Sequence, residues 1–335
     1  MKPVSLVAVA SELPSMIVTN DAFPPAAKPG LMFEPPTTRR FMQRDETAVE
    51  FLRRAATKLV DKLNLTPARD VDLLFTNVSV PDEPFTGCGA EVARAIGARP
   101  QWVLDLHNTG CVAFIYMIEL ARHLMQTTTA KTALICTAQT GAGRVFGNPR
   151  IRDKPQAAIP GDGFGVGYVV ANEDSPVLSV VHHAFGEFAG DMTVITDDGH
   201  KYWETGEQPF YVDFNEQRVA AVIRRGNRIV PEVMVEACQS AGVTTRDIDL
   251  LVTNQPNRYF LRNWREALEV PPEQHSDTYD TYGNLFGAGI PITLDEAIEA
   301  GRLQPGGLLG LAGFAHAGDY AAAALIRWRQ NGHAG

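Results

Sequence analysis

The chain has 335 residues, of which 45% are hydrophobic and 21% charged, and it carries a formal net charge of −9. This composition supports a large buried core in one domain or two, and an acidic balance without a basic run excludes nucleic acid as the expected partner. No run of about 18 apolar residues and no signal-peptide pattern is present, so we expect a cytoplasmic protein without a membrane interaction.

In chain order, the first half contains segments that alternate between helical and strand patterns. They are the amphipathic helix AVEFLRRAATKLVDKL, the strand RDVDLLFTN (69–77), the motif HNTGC (107–111) before the apolar helix VAFIYMIELARHLM, the strand KTALICTAQTG (131–141) and the strand GDGFGVGYVV (161–170). Such alternation is typical of mostly parallel sheets with helical crossovers.

The second half repeats these segments in the same order. They are the helix VPEVMVEACQSAG, the near-identical nonapeptide RDIDLLVTN (246–254), TYGNL (281–285) before the helix FGAGIPITLDEAIEAG, the strand GGLLGLAGFAH (306–316) and GDYAAAALIR (318–327). An ordered repeat of this kind indicates an internal duplication. We therefore predict two related α/β halves, residues 1–172 and 173–335, with their equivalent loops converging near a pseudo-twofold axis.

The loop before the apolar helix of the first half holds Cys111, the strongest candidate for a catalytic group. A cysteine at the start of a helix experiences unpaired N–H groups and the helix dipole, which favour thiolate over thiol. We therefore expect a low pKa and nucleophilic chemistry on an acyl group, and a small core cysteine is the alternative. The other cysteines, Cys88, Cys136 and Cys238, are predicted to be buried thiols.

Four motifs in this order and spacing, NTGCVAF, IPGDGFGVGYVV, YGNLFGAGIPITLDEA and GGLLGLAGFAHAGDYAAAALIRW, resemble the thiolase superfamily and, within it, the ketoacyl-ACP synthase III branch. The resemblance implies a thiolase-like duplicated α/β fold of five layers, αβαβα, a homodimer, Cys111 as the nucleophile and no permanently bound cofactor. Thioesters of phosphopantetheine, on acyl carrier protein or coenzyme A, are the implied acyl donors. Asn257 matches an asparagine that lines the pantetheine channel in the family.

The resemblance also implies a catalytic histidine and a catalytic asparagine in the second half. The asparagine is present as Asn284 of a Gly-Asn motif, but Asn254 stands where decarboxylating members carry the histidine. An asparagine donates a neutral hydrogen bond but does not titrate near neutral pH, which argues against Claisen condensation.

His316 and Asp319 lie in a segment that is glycine-rich in ordinary family members and passes close to the nucleophile. We predict His316 as the base that deprotonates an acceptor and Asp319 as the acid that holds its tautomer, in a Cys-His-Asp arrangement with Cys111. The alternatives are a histidine that is merely packed and an aspartate that caps a helical run beginning at Tyr320.

Together these residues predict an acyltransferase of secondary metabolism, such as polyketide or antibiotic biosynthesis. The acyl group would pass from its carrier to Cys111 and then to a hydroxyl, an amine or a carrier thiol, without decarboxylative condensation. One alternative is a decarboxylating 3-oxoacyl-ACP synthase III-type ketosynthase. Another is a noncatalytic partner subunit of a heteromeric synthase, against which the presence of Cys111 argues.

Basic side chains in loops are the candidates for binding the carrier. We select Arg40, Arg150 and Arg258, because guanidinium groups make strong contacts with phosphate and carboxylate groups. The cysteines and histidines lack the spacing and neighbours of a metal site, so no metal is expected.

Overall fold

The computed structural model describes residues 2–24, 31–107, 109–214 and 216–329. The strands are β1 (Ser5–Glu12), β2 (Met16–Thr19), β3 (Thr38–Phe41), β4 (Leu73–Val78), β5 (Trp102–Asp105), β6 (Thr132–Gln139), β7 (Gly163–Val170), β8 (Val177–Ala184), β9 (Met192–Ile195), β10 (Tyr211–Phe214), β11 (Leu250–Thr253), β12 (His275–Ser276), β13 (Leu308–Ala315) and β14 (Tyr320–Arg327). The helices are α1 (Ala48–Leu63), α2 (Pro67–Asp70), α3 (Gly89–Ile96), α4 (Ala113–Thr127), α5 (Val219–Ser240), α6 (Arg258–Ala267), α7 (Tyr279–Tyr282) and α8 (Gly289–Glu299). Among these residues, no helix combines the length and the apolar composition needed to cross a bilayer.

The two halves form separate five-stranded sheets with the same internal order. The first sheet runs β1-β7-β6-β4-β5, and the second runs β8-β14-β13-β11-β12. In the first, β4 pairs in parallel with β5 and β6, and β7 pairs antiparallel with β6 and β1; the second repeats this pattern strand for strand. The first sheet ends at Val170 and the second begins at Val177; the boundary between residues 172 and 173 stays a prediction.

Helices cover both faces of each sheet, and five layers result. Helices α4 and α8 lie between the sheets, α1 and α3 cover the outer face of the first sheet, and α5 and α6 cover that of the second. Helix α4 buries residues around most of its circumference, whereas α1 buries a single face that includes Phe51 and Leu59. An all-round apolar helix needs cover on both sides and an amphipathic one needs it on one side only, which explains the layers. The predicted αβαβα architecture is confirmed.

Alternate glycines of β7 let the central helices approach the first sheet. A Cβ at Gly165 would lie 2.5 Å from Cγ of Pro291 in α8, and a Cβ at Gly167 would lie 2.7 Å from Cζ of Phe114 in α4. Both distances are shorter than van der Waals contact, so this spacing of the layers requires glycine.

The alanine-rich segment after Asp319 is a strand and not the helix that the capping alternative requires. Strand β14 pairs antiparallel with both β13 and β8, and its residues from Ala321 to Ile326 are buried. The helix propensity of alanine is small compared with the gain from pairing and packing in the middle of a sheet. The idea that Asp319 caps a helix is therefore wrong.

Backbone contacts join the two halves between residues 159–161 and 282–284. The Gly161 N–H donates to the carbonyl oxygen of Asn284 (3.2 Å), and the Asn284 N–H donates to that of Ile159 (3.0 Å). A Cβ at Gly161 would lie 1.9 Å from the carbonyl oxygen of Tyr282. This position has no space for a side chain, and its contacts fix the backbone of Asn284.

The variant Gly161→Ala is expected to lose about 1–3 kcal/mol of folding free energy, because the added methyl group displaces the Tyr282 backbone. Chemical denaturation followed by circular dichroism measures the loss. Gly186→Ala is the matched control, since nothing lies within 4 Å of its added Cβ. Equal stability of the two variants would contradict this role of Gly161.

Candidate active site

A cavity of about 270 Å³ is lined by four of the five residues predicted to be catalytic, all except Asp319. Cys111, Asn254, Asn284 and His316 all line it, although they come from four separate segments of the chain. Apolar side chains form much of the remaining wall, among them Met32, Phe33, Met192, Val212 and Phe214. The duplication predicted that loops of the two halves converge, and the structure brings these four residues together.

The central helices place two of these residues. Each helix is preceded by a short 3-10 turn, Gly110–Val112 before α4 and Phe286–Ala288 before α8. A Cβ at Gly287 would lie 2.8 Å from the carbonyl oxygen of Gly110, so the two turns are in direct contact. Cys111 lies in the first turn and Asn284 just precedes the second, which puts both at the same end of the buried layer.

Cys111 carries a thiol with a strongly raised pKa. Burial is the largest cause, and it raises the pKa to about 12. A hydrogen bond from the Asn254 side chain and the N–H groups of Cys111 and His316 lower the pKa, whereas the charge of Asp319 raises it. The prediction of a low pKa is therefore wrong. Helix α4 begins only at Ala113, and the cost of holding an ion away from water exceeds the attraction of the helix dipole.

His316 lies in the turn between β13 and β14, with its imidazole beside the loop of Cys111. Its Nδ1 lies 3.0 Å from both carboxylate oxygens of Asp319. Because a carboxylate only accepts hydrogen bonds, Nδ1 carries a proton, and in the neutral imidazole Nε2 presents the lone pair. A Cβ built at Gly110 would lie 3.0 Å from that Nε2. The imidazole is thus oriented as a proton acceptor beside the nucleophile.

Asn254 has an amide whose orientation is set by the backbone. Its Nδ2 donates to the carbonyl oxygen of Phe314 (3.1 Å), and its Oδ1 accepts from the Phe314 N–H (3.2 Å). The same side chain bonds to the Cys111 thiol. Phe314 therefore engages the oxygen and one hydrogen of the NH₂ group, and the second NH₂ hydrogen is what Asn254 offers to the cavity.

Asn284 contributes a second amide in a similar way. Its Oδ1 accepts from the Phe286 N–H at 3.0 Å, which leaves the NH₂ group for a bound molecule. The side chain is only 8% exposed. The cavity therefore holds two neutral hydrogen-bond donors, one supplied after β11 and the other before α8.

Asn77 is a cavity residue that sequence reasoning missed. It ends the nonapeptide RDVDLLFTN and is thus the counterpart of Asn254, which ends RDIDLLVTN. Its Nδ2 donates to the carbonyl oxygen of Leu106 (2.7 Å), and a Cβ at Gly287 would lie 2.8 Å from its Oδ1. The repeat was the signal that could have identified it.

Asn257 lines the cavity and also caps a helix. Its Oδ1 accepts from the Phe260 N–H (2.9 Å) at the start of α6, and its Nδ2 donates to the carbonyl oxygen of Met32 (3.1 Å). Both ends of the amide are engaged by the protein, so contact with a pantetheine arm stays a prediction.

The three arginines selected for the carrier lie outside the set of residues that line the cavity. Arg40 and Arg150 donate to backbone carbonyl groups. Arg258 bonds the carboxylate of Asp280 and lies 3.2 Å from that of Glu34. A carrier phosphate at Arg258 would have to compete with two carboxylates, and the roles of all three arginines stay predictions.

Within the described ranges, no group of three or more histidine, cysteine or acidic side chains is arranged to bind a metal ion.

Alkylation of Cys111 by iodoacetamide is expected to be slow near neutral pH. A pKa of about 12 leaves about one thiol in ten thousand ionised at pH 8, and the rate should rise about tenfold per pH unit between pH 7 and 9. Peptide mapping by mass spectrometry locates the label. Cys111→Ser controls for reaction at the three buried cysteines, and a rate that levels off below pH 8 would indicate a stabilised thiolate instead.

Comparison with known proteins identifies the family. Residues 104–186 match the family described as 3-oxoacyl-[acyl-carrier-protein (ACP)] synthase III, and residues 238–328 match its C-terminal family. The β-ketoacyl-[acyl-carrier-protein] synthase III of Clostridium perfringens is 28% identical over 286 residues, which are 82% of this chain and 83% of that protein.

Solved structures give the same result for the whole chain. The synthase III of Thermus thermophilus superposes with a TM-score of 0.82 at 26% identity, covering 98% of this chain and 100% of that chain. The priming β-ketosynthase of the R1128 polyketide biosynthetic pathway has a TM-score of 0.84 at 20% identity, covering 98% of this chain and 97% of that chain, a likeness of fold alone. The chain therefore belongs to the thiolase superfamily as a ketoacyl-ACP synthase III-like protein, a family of enzymes of the transferase class.

Proposed function

We propose that this enzyme is a condensing enzyme of the β-ketoacyl synthase III type, which joins an acyl group held on Cys111 to a malonyl-type thioester. One observation carries the proposal: a thiol, an imidazole and two amide NH₂ groups border the same cavity. The names of the relatives also support condensation better than the transfer without decarboxylation that the sequence predicted. Both substrates would be phosphopantetheine thioesters, on acyl carrier protein or coenzyme A.

Acylation of Cys111 is the first half-reaction, and it needs a proton acceptor because the pKa of about 12 keeps the thiol neutral. Nε2 of His316 takes the thiol proton while Sγ attacks the carbonyl carbon of the acyl thioester. The bond between that carbon and the carrier sulfur breaks, and the departing thiolate takes the proton from Nε2. The backbone N–H groups of Cys111 and His316, which lower the pKa of the thiol, would stabilise the oxyanion formed beside Sγ.

Condensation is the second half-reaction, in which Asn254 and Asn284 would bind the thioester carbonyl oxygen of the malonyl group. Loss of carbon dioxide leaves an enolate, whose charge the two NH₂ donors stabilise. The enolate carbon attacks the acyl carbon on Cys111, a carbon–carbon bond forms, and the Cys111 thiolate leaves and takes a proton from water. No proton is removed from the malonyl group, so an asparagine that does not titrate is compatible with this step.

Transfer without condensation is a second candidate, and the pairing of His316 with Asp319 favours it. An imidazole that deprotonates Cys111 is also placed to deprotonate a hydroxyl, an amine or a carrier thiol in the same cavity. Such an acceptor would attack the acyl-enzyme and leave with the acyl group, as in the natural-product pathways that the sequence suggested. The condensation step itself makes no use of this base.

We also propose that the protein forms a homodimer, as the resemblance implies. Phe85 is 99% exposed and Trp102 is 45% exposed. Trp102 begins β5, which is the edge strand of the first sheet. Exposed aromatic side chains beside a free strand edge favour association with a second copy of the chain.

Intact-mass spectrometry with acyl-CoA donors tests the proposal. Wild-type protein is expected to gain an acyl adduct that Cys111→Ala lacks, and His316→Ala to acylate about a hundredfold more slowly, because the thiol loses its proton acceptor. With malonyl thioester, a condensing enzyme discharges the adduct as a 3-oxoacyl product. Discharge only to alcohols, amines or thiols, with the malonyl group intact, would establish transfer instead.

The variant Asn284→Ala is expected to slow the release of carbon dioxide from labelled malonyl thioester about a hundredfold, since one donor to the enolate is lost. Acylation of Cys111 should change by no more than about twofold. Asn263→Ala is the control, because Asn263 lies on α6 and bonds Asn227. Equal losses in both half-reactions would assign Asn284 a structural role.

A further inference from the structure

The turn that carries His316 has a backbone conformation that must be held in place. His316 has a φ of 50°, in the left-handed region, and Gly318 has a φ of 99°. A histidine adopts positive φ only where the surrounding structure determines it, and such positions cluster at functional sites. The groups packed against this turn therefore decide where the imidazole lies.

Arg225 of α5 is one of these groups, and it lies against the turn at Gly318. Its side chain is 7% exposed. A Cβ at Gly318 would lie 2.9 Å from Cδ of Arg225 and 3.2 Å from its Nε, so the two residues are in close contact. The Arg225 guanidinium in turn stacks on the Phe188 ring, 3.6 Å from its centroid.

The backbone of Asp319 is linked to the same cluster. The Phe185 N–H donates to the carbonyl oxygen of Asp319 (2.7 Å), and the Phe185 ring packs on Phe188 with centroids 5.8 Å apart. Arg225 and the segment 185–188 thus hold Gly318 and Asp319 from two directions.

Charge favours the same arrangement. Nη2 of Arg225 donates to Oδ2 of Asp191 (2.7 Å), and Asp191, whose side chain is 4% exposed, also accepts from Arg218 (2.5 Å). Nε and Nη1 of Arg225 are buried, and none of the described side chains accepts from them. The positive charge of Arg225 also attracts the carboxylate of Asp319. A buried guanidinium with unused donors thus holds the turn by its contact with Gly318 and the Asp319 carboxylate by charge.

We propose that Arg225 is a positioning residue, which holds the turn of residues 316–319 so that His316 faces Cys111 and Asp319 faces His316. The inference rests on the proposed role of His316 as the proton acceptor. Arg225 touches neither substrate nor nucleophile, and it acts through the turn. Its loss should therefore lower the rate of acylation without changing the affinity for a small thioester.

A double-mutant cycle on Cys111 acylation tests this, with acyl-N-acetylcysteamine thioesters as donors because they lack the phosphates of a carrier. Arg225→Met is expected to lower kcat for acylation about tenfold at unchanged KM. In the His316→Ala background, Arg225→Met should have no further effect, because the base it positions is absent. Arg225→Lys, which keeps the charge beside Asp191, should recover part of the rate.

Arg228→Met is the matched control, because Arg228 lies on the same helix, is 62% exposed and pairs only with Glu232 (3.3 Å) among the described residues. Circular dichroism and thermal melting of each variant establish that it is folded. If the Arg225 and His316 effects multiply independently, the positioning role is overturned. If His316→Ala acylates as fast as wild type, the proposed base role fails first, and the inference about Arg225 fails with it.

Discussion

The burial of two apolar helices between two sheets is the constraint on which the rest of this structure depends. Helices α4 and α8 bury residues around most of their circumference, so both sheets must close over them. Glycines then allow close approach, at Gly165 of β7 to the Pro291 side chain of α8 and at Gly287 to the backbone of Gly110. Because the helices start side by side, the nucleophile and an amide donor meet at one end of the buried layer.

The same burial determines how the thiol can react. A thiolate removed from water is costly, and at Cys111 this cost outweighs the bonds that the sulfur receives from nearby N–H and amide groups. The nucleophile is therefore stored as a neutral thiol and needs a base at the time of reaction. The His316 imidazole, whose tautomer Asp319 holds, is oriented to supply it.

The duplicated halves share a fold, but the side chains in their equivalent loops differ in chemistry. Asp162 and Asp319 occupy corresponding Gly-Asp segments, yet Asp162 is fully buried and accepts bonds from three backbone N–H groups, those of Met42, Ala142 and Gly143. Burial raises the pKa of Asp162 to about 7. Asp162 organises a loop, whereas Asp319 binds the imidazole of His316, so duplication supplied two equivalent positions with different partners.

The sequence by itself determined the architecture and much of the site. Helix and strand periodicities are local, and a repeat of ordered segments requires equivalent loops to converge, which is why the grouping of Cys111, Asn284 and His316 was predictable. Tertiary structure alone decided the rest. The pKa of Cys111 depends on desolvation, the strand at Tyr320–Arg327 depends on its two neighbouring strands, and the orientation of Asn254 depends on the backbone of Phe314. Each of these is set by groups distant in sequence, whose contacts exist only once the layers have packed.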